Sequence, residues 1–355
     1  MPPRLKVATL VEVAKAAGVS VSTAGRVLRD ADYHVDPALG ERVREAAARL
    51  GYVANVLARS LRGGTPRLVG LIVGDMLDPY YAEIAEAVTQ HAESTHGLLA
   101  LVCNMQRDPL LEIKYCRQLW EHRVAGLVLA GGGFDQWTHL GQLSALITQM
   151  QRAGVRIATL SPRNLNAPTF STNNESVGRL LANSVVAKGH QAVGVLIGPP
   201  QSEVTQQRLR GITTVLTQAQ VRLTVSHGEY LPASGEQGTA NLLNADREIT
   251  ALLVGSDAMA QGALKQLGNM GRRVPEDISV VSIGNTGLLS PSGLKLTTVD
   301  VGLAQCGKSA LDYIANPAHG VVPMVDPWFY EPSLVMGNTL SAPSGVLWNE
   351  DTALA

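Results

Sequence analysis

Cysteine is scarce in this chain: Cys103, Cys116 and Cys306 are the only three among 355 residues. They are odd in number, far apart and without a CxxC spacing, which excludes a disulfide framework and points to reduced thiols. Eight histidines are scattered along the chain, and none stands at ligand spacing from a cysteine, so neither a metal nor another cofactor is expected. No run of eighteen or more apolar residues occurs, which excludes a membrane-spanning helix. The leading MPPRLKV has no apolar signal core, so a cytoplasmic, nucleoid-associated protein is expected rather than an exported one. A Ser/His/Asp order, a pair of catalytic carboxylates and a dinucleotide fingerprint are missing too, and no enzymatic activity is expected.

What is present begins at residues 10–30, LVEVAKAAGVSVSTAGRVLRD. Ala14, Gly18, Val19, Ala24 and Val27 recur at offsets that turn two short helices' apolar faces toward each other. Gly18 can take the positive φ of a sharp turn, and Ser20 stands where an N-cap belongs. That spacing predicts either a helix-turn-helix, whose second helix can lie in a DNA major groove, or an ordinary corner between two helices. Asp36 and Pro37 then form a helix start. A third helix is predicted over 38–50, with Leu39, Val43, Ala46, Ala47 and Leu50 on one stripe and Gly51 at its end. Charge favours the DNA reading: residues 1–64 hold ten Lys or Arg against six Asp or Glu, the remainder nineteen against twenty-four. A basic head on an acidic body is expected where only the head meets phosphates.

Beyond the head, continuous apolar runs of four to seven residues take over, at 67–73, 98–103, 126–130, 156–160, 192–197, 251–255 and 279–283. Strands buried on both faces of a parallel sheet have this pattern. Helical spacing fills 80–94, 110–122, 175–188, 203–219 and 258–270. Repeated βα units predict an α/β core whose ligands bind where loops leave the strands' carboxyl ends.

The blocks TLVEVAKAAGVSVSTAGRVLRD, LGYVANVLARSLRGG, KGHQAVGVLIGPPQS, QRLRG, RVPEDISVVSIGN and LTTVD follow one another in the order found in LacI/GalR-type bacterial transcription repressors, which the chain resembles from about residue 9 to about 339. The resemblance implies a small all-α helix-turn-helix head and an α/β core of two parallel-sheet subdomains, similar to a periplasmic sugar-binding protein. It places the head at 1–54 and a hinge helix at 55–64. The first core subdomain is expected at 65–161 with about 297–322, the second at 162–296 with about 323–340, and a tail without heptads at 341–355. The implied function is a sequence-specific transcriptional regulator, a repressor, whose affinity for double-stranded, pseudo-palindromic operator DNA is controlled by a small metabolite bound between the subdomains. A homodimer follows from one head reading only a half-site.

Residue by residue, the resemblance puts Val21, Ser22 and Arg26 at base edges. Arg26 either pairs with guanine or binds only phosphate, and Val21 either meets a thymine methyl or covers the head's core. Thr23, Arg29, Asn55 and Arg59 are also placed at the DNA. Leu61 either wedges into the minor groove or packs on the head. The eight residues 55–62 that match the hinge helix itself are too few for a stable isolated helix, so its order should come with DNA. At the cleft the resemblance places Tyr80, Tyr81, Ser161, Arg208, Tyr230, Ser256, Asp257 and Asn285. Arg208 matches an arginine that bonds effector hydroxyls or carboxylates, with a structural salt bridge as the alternative, and Asp257 could equally be a helix cap. Gly284 stands where the family has an aspartate that holds a sugar hydroxyl. A cleft that keeps its arginine while losing carboxylates favours an anionic effector, a sugar acid or sugar phosphate, unless it has ceased to bind anything. Gly131–133 reads as a phosphate cradle or, more simply, a turn.

Overall fold

The computed structural model describes residues 8–28, 35–53, 67–131, 137–163, 165–287, 293–316 and 328–344. The chain divides into two compact units, Met1–Thr65 and Pro66–Ala355.

In the first unit, α1 (Leu10–Ala17), α2 (Val21–Val27) and α3 (Pro37–Leu50) enclose one apolar cluster of Val13, Ala14, Ala17, Ala24, Val27, Val43, Ala46 and Ala47. Each start is fixed by a side chain accepting from an otherwise orphaned amide. Thr9 Oγ1 accepts from Glu12 N at 3.3 Å while Thr9 N donates to Glu12 Oε2 at 2.8 Å, a reciprocal capping box. Ser20 Oγ accepts from Thr23 N at 3.0 Å, and Asp36 Oδ1 from Ala38 N at 2.9 Å. Gly18 ends α1 at φ 66°. Arg42 of α3 donates to the carbonyl of Ala17 at 2.5 Å, so a cation neutralises the negative end of α1. Of the stripe expected on α3, Leu50 is instead exposed, because its Cα lies on the last turn, past the contact with the other two helices.

The second unit carries two sheets. In the first, β1 (Leu68–Val73), β2 (Leu99–Asn104), β3 (Gly126–Leu129) and β4 (Arg156–Thr159) lie in the order β2-β1-β3-β4, all parallel. The intervening helices are α4 (Pro79–His96), α5 (Pro109–Glu121) and α6 (Trp137–Arg152). After β5 (Phe170–Thr172) come α7 (Asn174–Val186), β6 (Ala192–Ile197), α8 (Glu203–Gln218), β7 (Arg222–His227), α9 (Pro232–Ala245), β8 (Ala251–Val254), α10 (Asp257–Asn269) and β9 (Ser279–Gly284). The chain closes with β10 (Thr297–Asp300), α11 (Leu303–Ala315), β11 (Trp328–Tyr330) and β12 (Ser333–Val335). The second sheet runs β12-β10-β9-β8-β6-β7, with β12 antiparallel at its edge, and β11 pairs with β5 apart from both. Every residue of β6, β8 and β9 is buried, as their unbroken apolar sequences require. One apolar cluster runs through both lobes, from Val69, Leu71 and Val128 to Val195, Leu253 and Val281.

Two expected boundaries are corrected. The segment from about 297 was assigned to the first subdomain, yet Thr297–Asp300 is hydrogen-bonded between β9 and β12 in the second sheet. The passage to the first lobe comes after Asp300, whose Oδ1 accepts from Gly302 N at 2.7 Å, and α11 then packs on α4. The sheet claims the strand because Thr297 and Thr298 are sites of buried hydrogen bonding on that side. The tail expected at 341–355 also starts too early: Ser341 accepts from His190 Nε2 at 2.9 Å and donates its amide to Ser279 Oγ at 3.0 Å. Residues 345–355 lie outside the described residues, as do Gly132 and Gly133 of the glycine run.

Candidate functional site

Two surfaces carry the expected residues. In the head, α2 presents Val21, Ser22 and Arg26 on its exposed side while Ala24, Gly25 and Val27 face the interior. Val21 is 43% exposed and stands outside the head's apolar cluster, which removes the reading in which it covers that core. Thr23 is only half-buried and its hydroxyl is engaged with Ser20 Oγ at 2.8 Å, so it braces the start of α2. Arg29, Asn55, Arg59 and Leu61 lie outside the described residues.

In the core, the carboxyl ends of strands from both lobes converge on an open cleft of about 670 Å³, the solvent at its mouth included. Tyr80 and Tyr81 follow β1, Ser161 follows β4, Arg208 lies on α8 after β6, Tyr230 follows β7 and Ser256 follows β8, and all six line it. A second hollow shares Tyr80, Ser161 and Arg208 and reaches Asn174 and Cys306. Two matching close approaches seat the tyrosines. A Cβ on Gly74, just past β1, would stand 2.5 Å from the Tyr81 ring, and one on Gly198, just past β6, would stand 2.2 Å from the Tyr230 ring. Only glycine at each strand end lets a ring lie against the backbone there. Tyr230 Oη is tied to Thr205 Oγ1 at 2.9 Å. Tyr80 and Tyr81 meet edge to face, ring centroids 5.0 Å apart. Burial pushes the phenol of Tyr81 up to about 12 against the opposing charge of Arg107, and that of Tyr80 higher still, so both remain neutral hydrogen-bonding groups.

Arg208 is 6% exposed, yet its charge is met by neutral groups. Its Nε donates to Asn174 Oδ1 at 3.0 Å and its Nη1 to the carbonyl of Gly255 at 3.2 Å. No carboxylate is bonded to it among the described residues, so the structural salt bridge allowed by the sequence is not formed. Ser161 Oγ is buried without a hydrogen-bond partner among the described residues.

Three participants stand outside the eight expected cleft residues. Asp78 lines the cleft besides capping α4, where its Oδ1 accepts from Tyr80 N at 3.0 Å. Arg107, also in the lining, donates through Nη2 to Asp78 Oδ2 at 3.0 Å. Burial raises the Asp78 carboxyl above its usual range, more than the Tyr80 amide and Arg107 pull it down. Gln106 and Arg107 both adopt positive φ, 52° and 57°, and this turn returns the guanidinium toward Asp78; no sequence signal marks it. Asn174, on α7, is the third, through its bond to Arg208.

Two expected cleft residues are elsewhere. Asp257 is 3% exposed and sits beneath the cleft, accepting from Ser282 Oγ at 2.5 Å, Thr298 Oγ1 at 3.0 Å, and Thr286 N and Oγ1 at 2.8 and 2.9 Å. These donors occupy its oxygens, so it organises β9 and β10. Nor is it the helix cap: Ser256 caps α10, accepting from Met259 N at 3.2 Å. Asn285, outside the lining, has φ 59° and donates through Nδ2 to Asp300 Oδ2 at 3.0 Å. A Cβ on Gly284 would come within 2.9 Å of Asp257 Oδ2, so the missing aspartate is matched by a carboxylate already filling that space.

Residues 9–55 match the model of bacterial regulatory proteins of the lacI family, and residues 182–319 that of a periplasmic binding protein-like domain. The ribose operon repressor of Halalkalibacterium halodurans is 30% identical over 297 residues, covering 82% of this chain and 85% of that protein. The HTH-type transcriptional repressor PurR of Aliivibrio salmonicida is 27% identical over 310 residues, 86% of this chain and 91% of its own. Among solved structures, the Lac repressor dimer bound to operator and the anti-inducer ONPF superposes with a TM-score of 0.80 at 28% identity, covering 95% of this chain and 100% of that one. The chain belongs to the lacI family of bacterial regulatory proteins: it is a DNA-binding transcriptional repressor with a helix-turn-helix head and a two-lobed effector-binding core.

Proposed function

We propose that this repressor binds a pseudo-palindromic operator as a homodimer, reads bases through Val21, Ser22 and Arg26, and is controlled by an anionic metabolite held in the cleft by Arg208. The observation that carries the effector class is the state of that guanidinium: it is buried, bonded to an amide oxygen and a carbonyl oxygen, and bonded to no carboxylate among the described residues. An uncompensated buried cation is costly, and a carboxylate or phosphate relieves that cost where a neutral sugar does not. Asp78 does not supply the balance, since Arg107 already holds it. Tyr80, Tyr81 and Tyr230 offer ring faces, and Ser161 a buried hydroxyl, for the apolar and hydroxyl parts of a sugar acid or sugar phosphate.

The hinge at 55–62 is assigned to the minor groove, with Asn55, Arg59 and Leu61 at the DNA, on the family resemblance. The soluble, non-membrane reading rests on the head's basic charge and the absence of any helix among the described residues long and apolar enough to cross a membrane.

Calorimetric titration of the full chain with gluconate, glucose 6-phosphate, glucose and ribose tests the effector class. Anion binding that weakens roughly tenfold or more in Arg208→Met supports it, that being the worth of a hydrogen bond to a charged group. Tight binding of a neutral sugar with none of either anion overturns it.

A further inference from the structure

Residues His91 and His96 stand five apart on α4, about 140° around the helix axis, so they share no face. A group lying between them can nevertheless meet both, and α11 supplies one. Asp312 Oδ1 is 2.7 Å from His91 Nε2 and 2.7 Å from His96 Nε2. The two imidazole rings stand edge to face, 5.3 Å apart at 89°, and one ligand atom from each of the three residues lies within 4.8 Å of the others. Both histidine side chains are 19% exposed and that of Asp312 is 50% exposed. Water therefore reaches the trio mainly from the carboxylate side.

We propose that His91, His96 and Asp312 form a binding site for a divalent transition metal ion, zinc first, that clips α11 to α4. Two imidazoles and one carboxylate are the donor set that holds zinc with a fourth position left to water. A tetrahedral ion with bonds of about 2.0–2.1 Å places its ligand atoms about 3.3 Å apart. The nitrogen–oxygen pairs need to open by only about 0.6 Å, a side-chain adjustment at a half-exposed carboxylate. Thr95 Oγ1 lies 3.0 Å from His91 Nδ1 and can accept from Nδ1–H once an ion takes the place of the Nε2 proton, the usual outer-shell arrangement of ligating histidines.

Neither helix alone has the ligands. The ion would fasten α11, which arrives from β10 of the second sheet, onto the first helix of the first lobe. The histidine census of the sequence gives no hint of this, because the third ligand lies more than two hundred positions away.

The test uses the full chain, tag-free and stripped with EDTA. One zinc ion per chain is expected by calorimetry, together with a higher melting temperature when zinc is added. Affinity should fall at least about a hundredfold in His96→Gln and in Asp312→Asn, the upper end of what even outer-shell changes cost. Cobalt added to the unmutated protein should give the intense visible bands of a tetrahedral ion, which decides the matter even where a variant does not fold. The absence of stoichiometric zinc, undiminished affinity in both variants, or a cobalt spectrum that is octahedral or thiolate in character would overturn the site and leave the trio as a hydrogen-bonded strut.

Discussion

The head and the cleft do their recognition over very different chain distances. In the head, the cap bonds span three residues or fewer, and the longest named contact, Arg42 to Ala17, spans twenty-five. The residues proposed to read bases lie on the exposed face of a seven-residue helix. In the cleft, the lining residues come from the ends of β1, β4, β6, β7 and β8, and Arg208 is held by partners thirty-four and forty-seven positions away. A small module built from local bonds can change its exposed face without disturbing its fold, since Ala24 and Val27 do the packing while Val21, Ser22 and Arg26 stay outside. The cleft lacks that separation. Tyr81 and Tyr230 pack against Gly74 and Gly198 and also line the cleft.

The largest effect that tests this contrast comes from the buried pair behind the cleft. Arg163 donates through Nη1 and Nη2 to Glu112 at 2.6 and 2.9 Å, and both side chains are 2% exposed. Glu112→Gln removes the anion and leaves a buried cation, which should cost the core about 3–5 kcal/mol. If the head folds on its own local bonds, the core transition in calorimetry shifts down while residues 1–53 keep their amide spectrum; a matching loss of head structure would break the comparison. Next comes Arg26→Ala, which should cost about 1–3 kcal/mol in operator binding and relax base preference, with effector affinity of the DNA-free protein unchanged. Competition binding with operator variants reads the preference, and full retention of it would remove Arg26 from the base-reading set.

The smallest effect concerns pH and the core alone. His190 is 1% exposed; its Nε2–H donates to Ser341 O, its Nδ1 lies 2.8 Å from Thr250 Oγ1, and burial holds its pKa below the ordinary 6.5 despite the bond to Ser341. Unfolding frees the imidazole to take a proton, so between the folded and ordinary values the unfolded chain binds more protons. Stability is therefore full above about pH 6.5 and declines as pH falls below it. Denaturant midpoints at a series of pH values should show this slope, and His190→Gln should flatten it. An equal slope in the variant would assign it to other groups.

Much of the head was legible because capping and helical periodicity act within a few positions. Ser20, Asp36 and Gly18 each declare their role by residue type and offset; of the stripe expected on α3, Leu50 is exposed and Leu39 is half-buried outside the apolar cluster. In the core, apolar runs located strands to within a residue or two, and six of eight expected cleft residues line the cleft. Asp257 and Asn285 were misplaced for one reason. Standing at a strand's carboxyl end puts a residue near the cleft, but the donors around Asp257 and the partner of Asn285 come from β9, β10 and the turn after β9, whose approach no local pattern announces.

The sequence by itself determined the helical head, the run of buried strands and which types of side chain stand at the strand ends, because these follow from steric and solvation preferences of neighbouring residues. Only the tertiary structure decided that Arg107 turns back onto Asp78, that Arg208 meets no carboxylate among the described residues, that Thr297–Asp300 joins the second sheet, and that Asp312 falls between His91 and His96. Each of these depends on how distant strands and helices are stacked, and stacking is set by the burial of the whole core, not by the residues that then find themselves side by side.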